Sequence, residues 1–272
     1  MKCYFTNTVI VDQLNMEDET TTQPTPDVPK ATLKTEDTGK IFEKAICDAY
    51  GIPYDGPFQY SQADVDKLTP RLKRLVTDNL FPPCVHTASK GARYDFTAVN
   101  GGTGCEGGTG GVHLSAKSNK KKGGKIAPQV VGQSHPQKFC QELGIEYTTP
   151  EDLKQYIQAN ITTVLPMLWK YTFDSPIVYY VKDTNDIRFI TASAAAPDWS
   201  SFQYVWTRTH DKWTNSSSLK VIIDDGVGSG KRKEESILEF QFHTKSRQNM
   251  AVRWTIDKVL RIFSGHFTVV SL

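Results

Sequence analysis

Asp95, Ser115 and Lys117 are the residues whose types and spacing could do chemistry in this chain. Asp95 lies in Tyr94-Asp95-Phe96-Thr97-Ala98, and the other two lie in Val112-His113-Leu114-Ser115-Ala116-Lys117. Read as neighbouring strands, these segments put Ser115 and Lys117 on one face, because residues two apart in a strand point the same way. Asp95 joins them from the adjacent strand. A carboxylate binds a hard cation, and a lysine beside it can position water and offset charge on a phosphate. Metal-assisted hydrolysis of a phosphodiester needs that pair. The plain alternative is a turn aspartate and a surface lysine.

Charge favours the chemical reading. The 272 residues carry a net charge of only +2, but the balance is uneven. Residues 1–50 hold nine acids and five bases, whereas Ser115 to Cys140 holds six lysines and no acid. The basic run starts at Lys117 itself, and local charge says more about a polyanionic partner than the total does. Lys120, Lys121, Lys122 and Lys125 offer charge without planar hydrogen-bonding groups, which suits phosphates. A merely solvated basic surface is the other explanation.

Several elements must position these groups. Residues 1–37 are polar, acidic and rich in Thr and Pro from residue 17 onward, and are expected to form an arm or linker. A helix is expected over Thr38–Tyr50, with Ile41, Phe42, Ala45, Ile46 and Ala49 at helical spacing, and Glu43 at the margin of that stripe. A second helix is expected from Thr69-Pro70 through Val76, and a third from Thr149-Pro150-Glu151-Asp152 through Leu168. Seven glycines between Gly101 and Gly111 make a hairpin tip or a close backbone approach to a ligand.

Strands are expected at 176–181, 187–191, 202–207, 219–223, 237–243 and 250–255, with a terminal helix near 256–263. The mixture implies an α/β (α+β) fold around one central mixed sheet, in a single domain over 38–272. Residues 38–145 are expected to hold the catalytic core, and 146–272 the elements that recognise the substrate.

The combination Asp95, Ser115-Ala116-Lys117 and Glu43 on a preceding helix resembles the PD-(D/E)xK nucleases, and among them type II restriction endonucleases. Two departures stand out. Tyr94 replaces the proline before the first acid, and Ser115 replaces the second acid, as in the MspI-like variants. The resemblance covers roughly residues 38–135 and implies a central mixed sheet flanked by helices, with a β-rich recognition part. It implies Mg2+ held by Asp95, the Ala116 carbonyl and Glu43, with the Ser115 hydroxyl as a further candidate ligand. Lys117 would position the attacking water, and Gln129 and Gln133 would orient the lysine or a phosphate. The implied substrate is double-stranded DNA cut at a short site, with a cognate DNA methyltransferase as functional partner. A homodimer is compatible with the family. The implied place is the cytoplasm of a bacterium, or of the host if the protein is virus-encoded.

The segment Gln241-Phe242-His243-Thr244-Lys245-Ser246-Arg247-Gln248-Asn249, with Arg253 beyond it, resembles a C-terminal recognition hairpin. Arg and Lys can address guanine edges, and Asn and Gln can address adenine. An amphipathic outer strand with a charged turn is the alternative. A rival acid pair is Asp224 or Asp225 with Glu239, although glutamine (Gln241) stands where the lysine belongs.

Other classes receive little support. No apolar run reaches the roughly 18 residues of a membrane span, and the N-terminus lacks the plan of a secretion signal. Five cysteines without a CxxC pair suggest reduced thiols rather than a zinc site. Cys84 and His86 read as packing residues. Gly226–Arg232 has the wrong spacing for a phosphate loop. A structure-specific repair nuclease, and a non-catalytic DNA-binding module marked by Ser115, remain open beside the restriction-enzyme reading. An RNA-processing role lacks its aromatic motif.

Overall fold

Ile177-Val178-Tyr179-Tyr180-Val181 is apolar at every position, the pattern of a strand covered on both faces. In the computed structural model all five are buried in strand β5 (Ile177–Val181), near the centre of a mixed six-stranded sheet. The structure describes residues 35–88, 92–99, 112–207, 215–224, 232–243 and 249–272. The sheet runs β1 (Cys84–His86), β2 (Phe96–Ala98), β3 (His113–Asn119), β5, β6 (Asp186–Ala192), β11 (Phe267–Ser271). β3 and β5 are parallel, and the other neighbours are antiparallel.

Val178 and Tyr180 face one core with Leu114, Ile187 and Phe189, covered by α1 (Thr35–Tyr50), α2 (Gln62–Leu72) and α3 (Arg74–Thr77). Ile177, Tyr179 and Val181 face the other core. There they meet α4 (Pro136–Leu143), α5 (Pro150–Ala159), α6 (Ile161–Phe173) and a second sheet. That sheet is antiparallel, ordered β4 (Lys125–Ile126), β10 (Met250–Thr255), β9 (Arg232–Phe242), β8 (Ser216–Asp224), β7 (Gln203–Trp206). The helix α7 (Ile256–Ile262) follows β10 directly. Among the described residues, no helix is long and apolar enough to cross a membrane.

The expected α/β class holds, with two sheets rather than one. Lys125 and Ile126 leave the first sheet and pair with Thr255 and Trp254, so the basic turn after β3 joins the two sheets. Three expectations about the helices changed. The second helix starts at Gln62, not Thr69, because the Ser61 hydroxyl accepts the Asp64 N–H and caps it. Pro70 therefore sits inside α2, and the helix ends two residues later. The long helix after Thr149 breaks at Asn160, whose amide donates to the Tyr156 carbonyl and closes α5. The third change is α4, which the sequence reading passed over despite Pro136 at its first turn and a left-handed Gly144 at its end.

Candidate active site

Pairing between β2 and β3 stops at Phe96–Leu114. Main-chain groups alternate along a strand, and the Ser115 N–H bonds the Pro176 carbonyl on the β5 side. Those of Ala116 therefore face the side where β2 has ended. The Asp95 carboxylate fills that place, its Oδ2 accepting the Ala116 N–H at 2.7 Å. The Ala116 carbonyl is directed to the same side.

Asp95, Ser115 and Lys117 fall on the shared face that their spacing implies. Gln129 ties them together from the loop after β4. Its amide is assigned with the oxygen toward Lys117, because an ammonium offers only donors. In that orientation Oε1 accepts from Lys117 Nζ at 2.8 Å and from the Ser115 hydroxyl at 2.7 Å, and Nε2 donates to the Arg93 carbonyl at 3.1 Å. Gln129 is itself held by its N–H on the Tyr171 carbonyl at 2.7 Å. The next residue, Val130, has φ 63°, a left-handed conformation that a β-branched residue rarely adopts. Its neighbours close a tight turn, Val131 N–H to Gln129 carbonyl at 2.5 Å. Strain of this kind persists where surrounding contacts over-determine it.

Burial sets the charges. Asp95 and Lys117 keep some exposed surface, yet protein surrounds their charged ends. Burial pushes the Asp95 carboxyl up from its ordinary value, and Glu43 adds to this, against the pull of Lys117 and the Ala116 N–H. Burial pushes the Lys117 ammonium down, against the attraction of Asp95 and Glu43. Both groups therefore hold their charge at a cost.

Glu43 arrives from α1 on the opposite face, close enough to perturb both groups, and is itself buried. Burial raises its pKa, but His86 and Lys40 outweigh it and hold the carboxyl below its usual range. Lys40 Nζ donates to Glu43 Oε2 at 3.1 Å, and His86 Nε2 lies 3.5 Å from the same oxygen. Cys84 and His86 are buried as packing residues, His86 against Tyr54 and Phe96, and its approach to Glu43 is to a helix that no local sequence pattern links to it.

Tyr94, which precedes Asp95, is fixed by its contacts. It stacks on His113 with centroids 4.2 Å apart, and its hydroxyl donates to Asp174 at 2.7 Å. Arg93 also reaches Asp174, at 2.6 Å, and lies between the Tyr94 and Tyr171 rings.

The remaining candidates separate into surfaces. Lys121 and Lys122 are exposed and Lys120 half-buried on the turn between β3 and β4, and exposed Lys125 opens β4 with its Nζ 3.0 Å from Glu239. Gln133 is exposed on the loop that follows Gln129. His243 is exposed and Asn249 half-buried where β9 meets β10, joined by the His243 N–H on the Asn249 carbonyl at 2.9 Å. Gln241 and Arg253 are hydrogen-bonded to each other across β9 and β10. Lys245, Ser246, Arg247 and Gln248 lie outside the described residues, as do the glycine run 101–111 and the arm before Thr35.

Of the rival acid pairs, Asp224 with Glu239 does not assemble. Asp224 stands opposite Arg232 at one end of the β8–β9 ladder, and Glu239 stands opposite Ser218, six positions along β8. At roughly 3.3 Å per residue that is about 20 Å. Glu239 instead pairs with Lys125 and lies 3.8 Å from Arg253 Nε. Asp225 lies outside the described residues.

Among the described residues, no three His, Cys, Asp or Glu side chains converge as an all-protein metal cage. Two carboxylates and a strand carbonyl are nonetheless a donor set that suits Mg2+, which keeps several waters and binds through one or two carboxylates. A thiolate or imidazole set for a softer metal is not what this slot offers.

No protein-family model and no solved structure matches the chain. The chain is similar to the type II restriction enzyme CviAII of Paramecium bursaria Chlorella virus 1, 36% identical over 242 residues. The match takes in 88% of this chain and 64% of that enzyme, so the chain spans less than two thirds of the length of the curated relative it matches.

Proposed function

We propose that the chain is a Mg2+-dependent, site-specific endodeoxyribonuclease of the type II restriction class, hydrolysing phosphodiester bonds in double-stranded DNA. The observation that carries this reading is the slot beside β3. There, Asp95 is bonded to the Ala116 N–H, and Lys117 and Ser115 share the Gln129 amide. The similarity to CviAII supports it independently. The arrangement fits an MspI-like PD-(D/E)xK core with Ser115 in the place of the second acid.

Asp95, Glu43 and the Ala116 carbonyl would hold Mg2+, which would supply positive charge to the scissile phosphate and make a nearby water more acidic. Lys117, aimed by Gln129, would orient that water for in-line attack and offset charge on the phosphate. Ser115 is buried with its hydroxyl on Gln129, so its part is to fix the lysine's partner rather than to ligate metal. Attack on phosphorus with departure of the 3′ oxygen would leave 5′-phosphate ends.

The core within residues 38–145 would be completed by β5 and β6, with the second sheet and its hairpin reading the bases. Lys120, Lys121 and Lys122 would meet phosphates, and His243 and Asn249 would reach base edges together with the turn between them. A methyltransferase acting on the same site would protect the host genome, and a homodimer would bring one site to each strand.

Plasmid of known sequence, incubated with the protein and Mg2+ and mapped at its ends, tests the reading. Discrete fragments with 5′ phosphates are expected. A smear or branch-dependent cutting would mean structure specificity, and intact plasmid would mean a non-catalytic binder.

A further inference from the structure

His86 is buried, with 4% of its surface exposed, on a three-residue edge strand, and the proposed chemistry gives it no part. Its ring is fixed on three sides. Tyr54 stacks on it at 4.7 Å, Phe96 lies at 5.1 Å, and Nδ1 accepts the Asp55 N–H at 3.1 Å. That last bond decides the tautomer. A neutral imidazole that accepts at Nδ1 carries its proton on Nε2. A histidine metal ligand does the reverse, donating through the nitrogen that does not bind metal. His86 is therefore set up as a donor and not as a ligand.

Nε2 lies 3.5 Å from Glu43 Oε2 and makes no hydrogen bond among the described residues. Lys40 Nζ takes the same oxygen at 3.1 Å from one helical turn earlier. Lys40 holds Oε2 by a hydrogen bond and His86 Nε2 is aimed at the same oxygen from the sheet, while no hydrogen bond to Oε1 is found among the described residues.

We propose that His86 is a positioning residue, its Nε2–H holding Glu43 Oε2 so that Oε1 is presented to the divalent cation beside Asp95. This rests on the nuclease reading of the slot. Asp55 and β1 thereby connect a loop outside the sheet to the cation site through a rigid ring. Carboxylates that ligate metal are themselves hydrogen-bonded, and losing such a support typically weakens metal binding by about 10–100-fold.

Two amide substitutions separate the ring's two contacts. His86→Gln places a donor near the Nε2 position and gives up the Asp55 contact, and His86→Asn keeps the Asp55 side and gives up Glu43. Mn2+ binding to the protein without DNA, followed by the electron paramagnetic resonance of free Mn2+, reads the difference without any turnover. His86→Asn should bind Mn2+ about 10-fold more weakly than the unaltered protein, and His86→Gln should stay close to it. His86→Phe, which keeps the ring stack, should behave as His86→Asn does and serves if the Asn variant fails to fold. Equal binding by the Gln and Asn variants, or by Gln and Phe, would overturn the proposal. Asp95→Asn and Glu43→Gln run in parallel as controls. If both bind Mn2+ normally, the cation site itself is wrong. If both lose it while His86→Asn and His86→Phe do not, only the role of His86 falls.

Discussion

Two charge clusters, one on each sheet, respond to burial in opposite ways. Glu235 on β9 takes Lys233 Nζ at 2.7 Å, Arg261 Nη2 at 2.9 Å and Lys258 Nζ at 3.2 Å. Its carboxyl is pulled down to about 2, led by the Lys233 hydrogen bond and helped by Lys258 and Arg261, against the cost of burial. It is covered by its partners' own side chains rather than sunk in the interior, and those cations keep their water. Asp95 and Lys117 also attract one another, but there burial outweighs the attraction and each is pushed toward its neutral form. The first cluster anchors α7 to β9. The second holds charges at a cost, as functional sites do. Attraction decides where the partners remain wet, and desolvation decides where protein surrounds both.

If this contrast is correct, the largest effect belongs to the costly cluster. Asp95→Asn and Lys117→Met should each lower the single-turnover rate of plasmid cleavage by about 10³-fold or more, with duplex binding retained. Glu235→Gln should leave that rate essentially unchanged. A comparable loss from Glu235→Gln would remove the distinction between the two clusters.

Gln129 sharpens it next. Gln129→Leu removes the acceptor that aims Lys117 and should slow cleavage about 10-fold, as loss of a supporting partner does. Ser115→Ala leaves the Lys117–Gln129 bond in place and should cost less. Equal losses from Ser115→Ala and Asp95→Asn would mean that the hydroxyl meets the cation after all.

The smallest effect is on stability. Glu235 has a folded pKa near 2 against an ordinary 4.5. Its stabilisation is therefore fully present above about pH 4.5 and is lost as pH falls toward 2. Because Lys233, Lys258 and Arg261 are 62%, 40% and 52% exposed, screening leaves about 1 kcal/mol at pH 7. Urea unfolding of Glu235→Gln should show that deficit at pH 7 and a shrinking one below pH 4.5. A deficit that persists unchanged at pH 3 would mean that packing, not charge, holds α7. Asp95 carries the opposite sign. Its folded pKa is raised, so its ionisation removes stability as pH climbs through the folded value.

The shared face of Asp95, Ser115 and Lys117 was legible because strand alternation needs only local sequence, and helical spacing put Glu43 at the margin of its apolar stripe. Gln129 could be named from the turn that follows, although its bond to both Ser115 and Lys117 depends on the strained turn at Val130. What stayed hidden is long-range. His86 gains meaning only from α1, and Lys125–Ile126 reads as loop until Trp254 and Thr255 supply its ladder. The edge strand Phe267–Ser271 was missed for the same reason, since its partner β6 lies some 75 residues earlier. Glu239 reads as a candidate metal acid in the sequence and pairs instead with Lys125 of β4, two strands away in the same sheet.

Burial of the Asp95 and Lys117 charges is a cost that the proposed cleavage reaction requires. Asp95→Asn tests it most directly, with thermal melting in metal-free buffer at pH 7 and plasmid cleavage with Mg2+ measured on one preparation. The amide can still accept the Ala116 N–H while removing the buried charge, so the melting temperature should rise as cleavage disappears. A variant that still cuts, or that melts below the unaltered protein, would contradict the account.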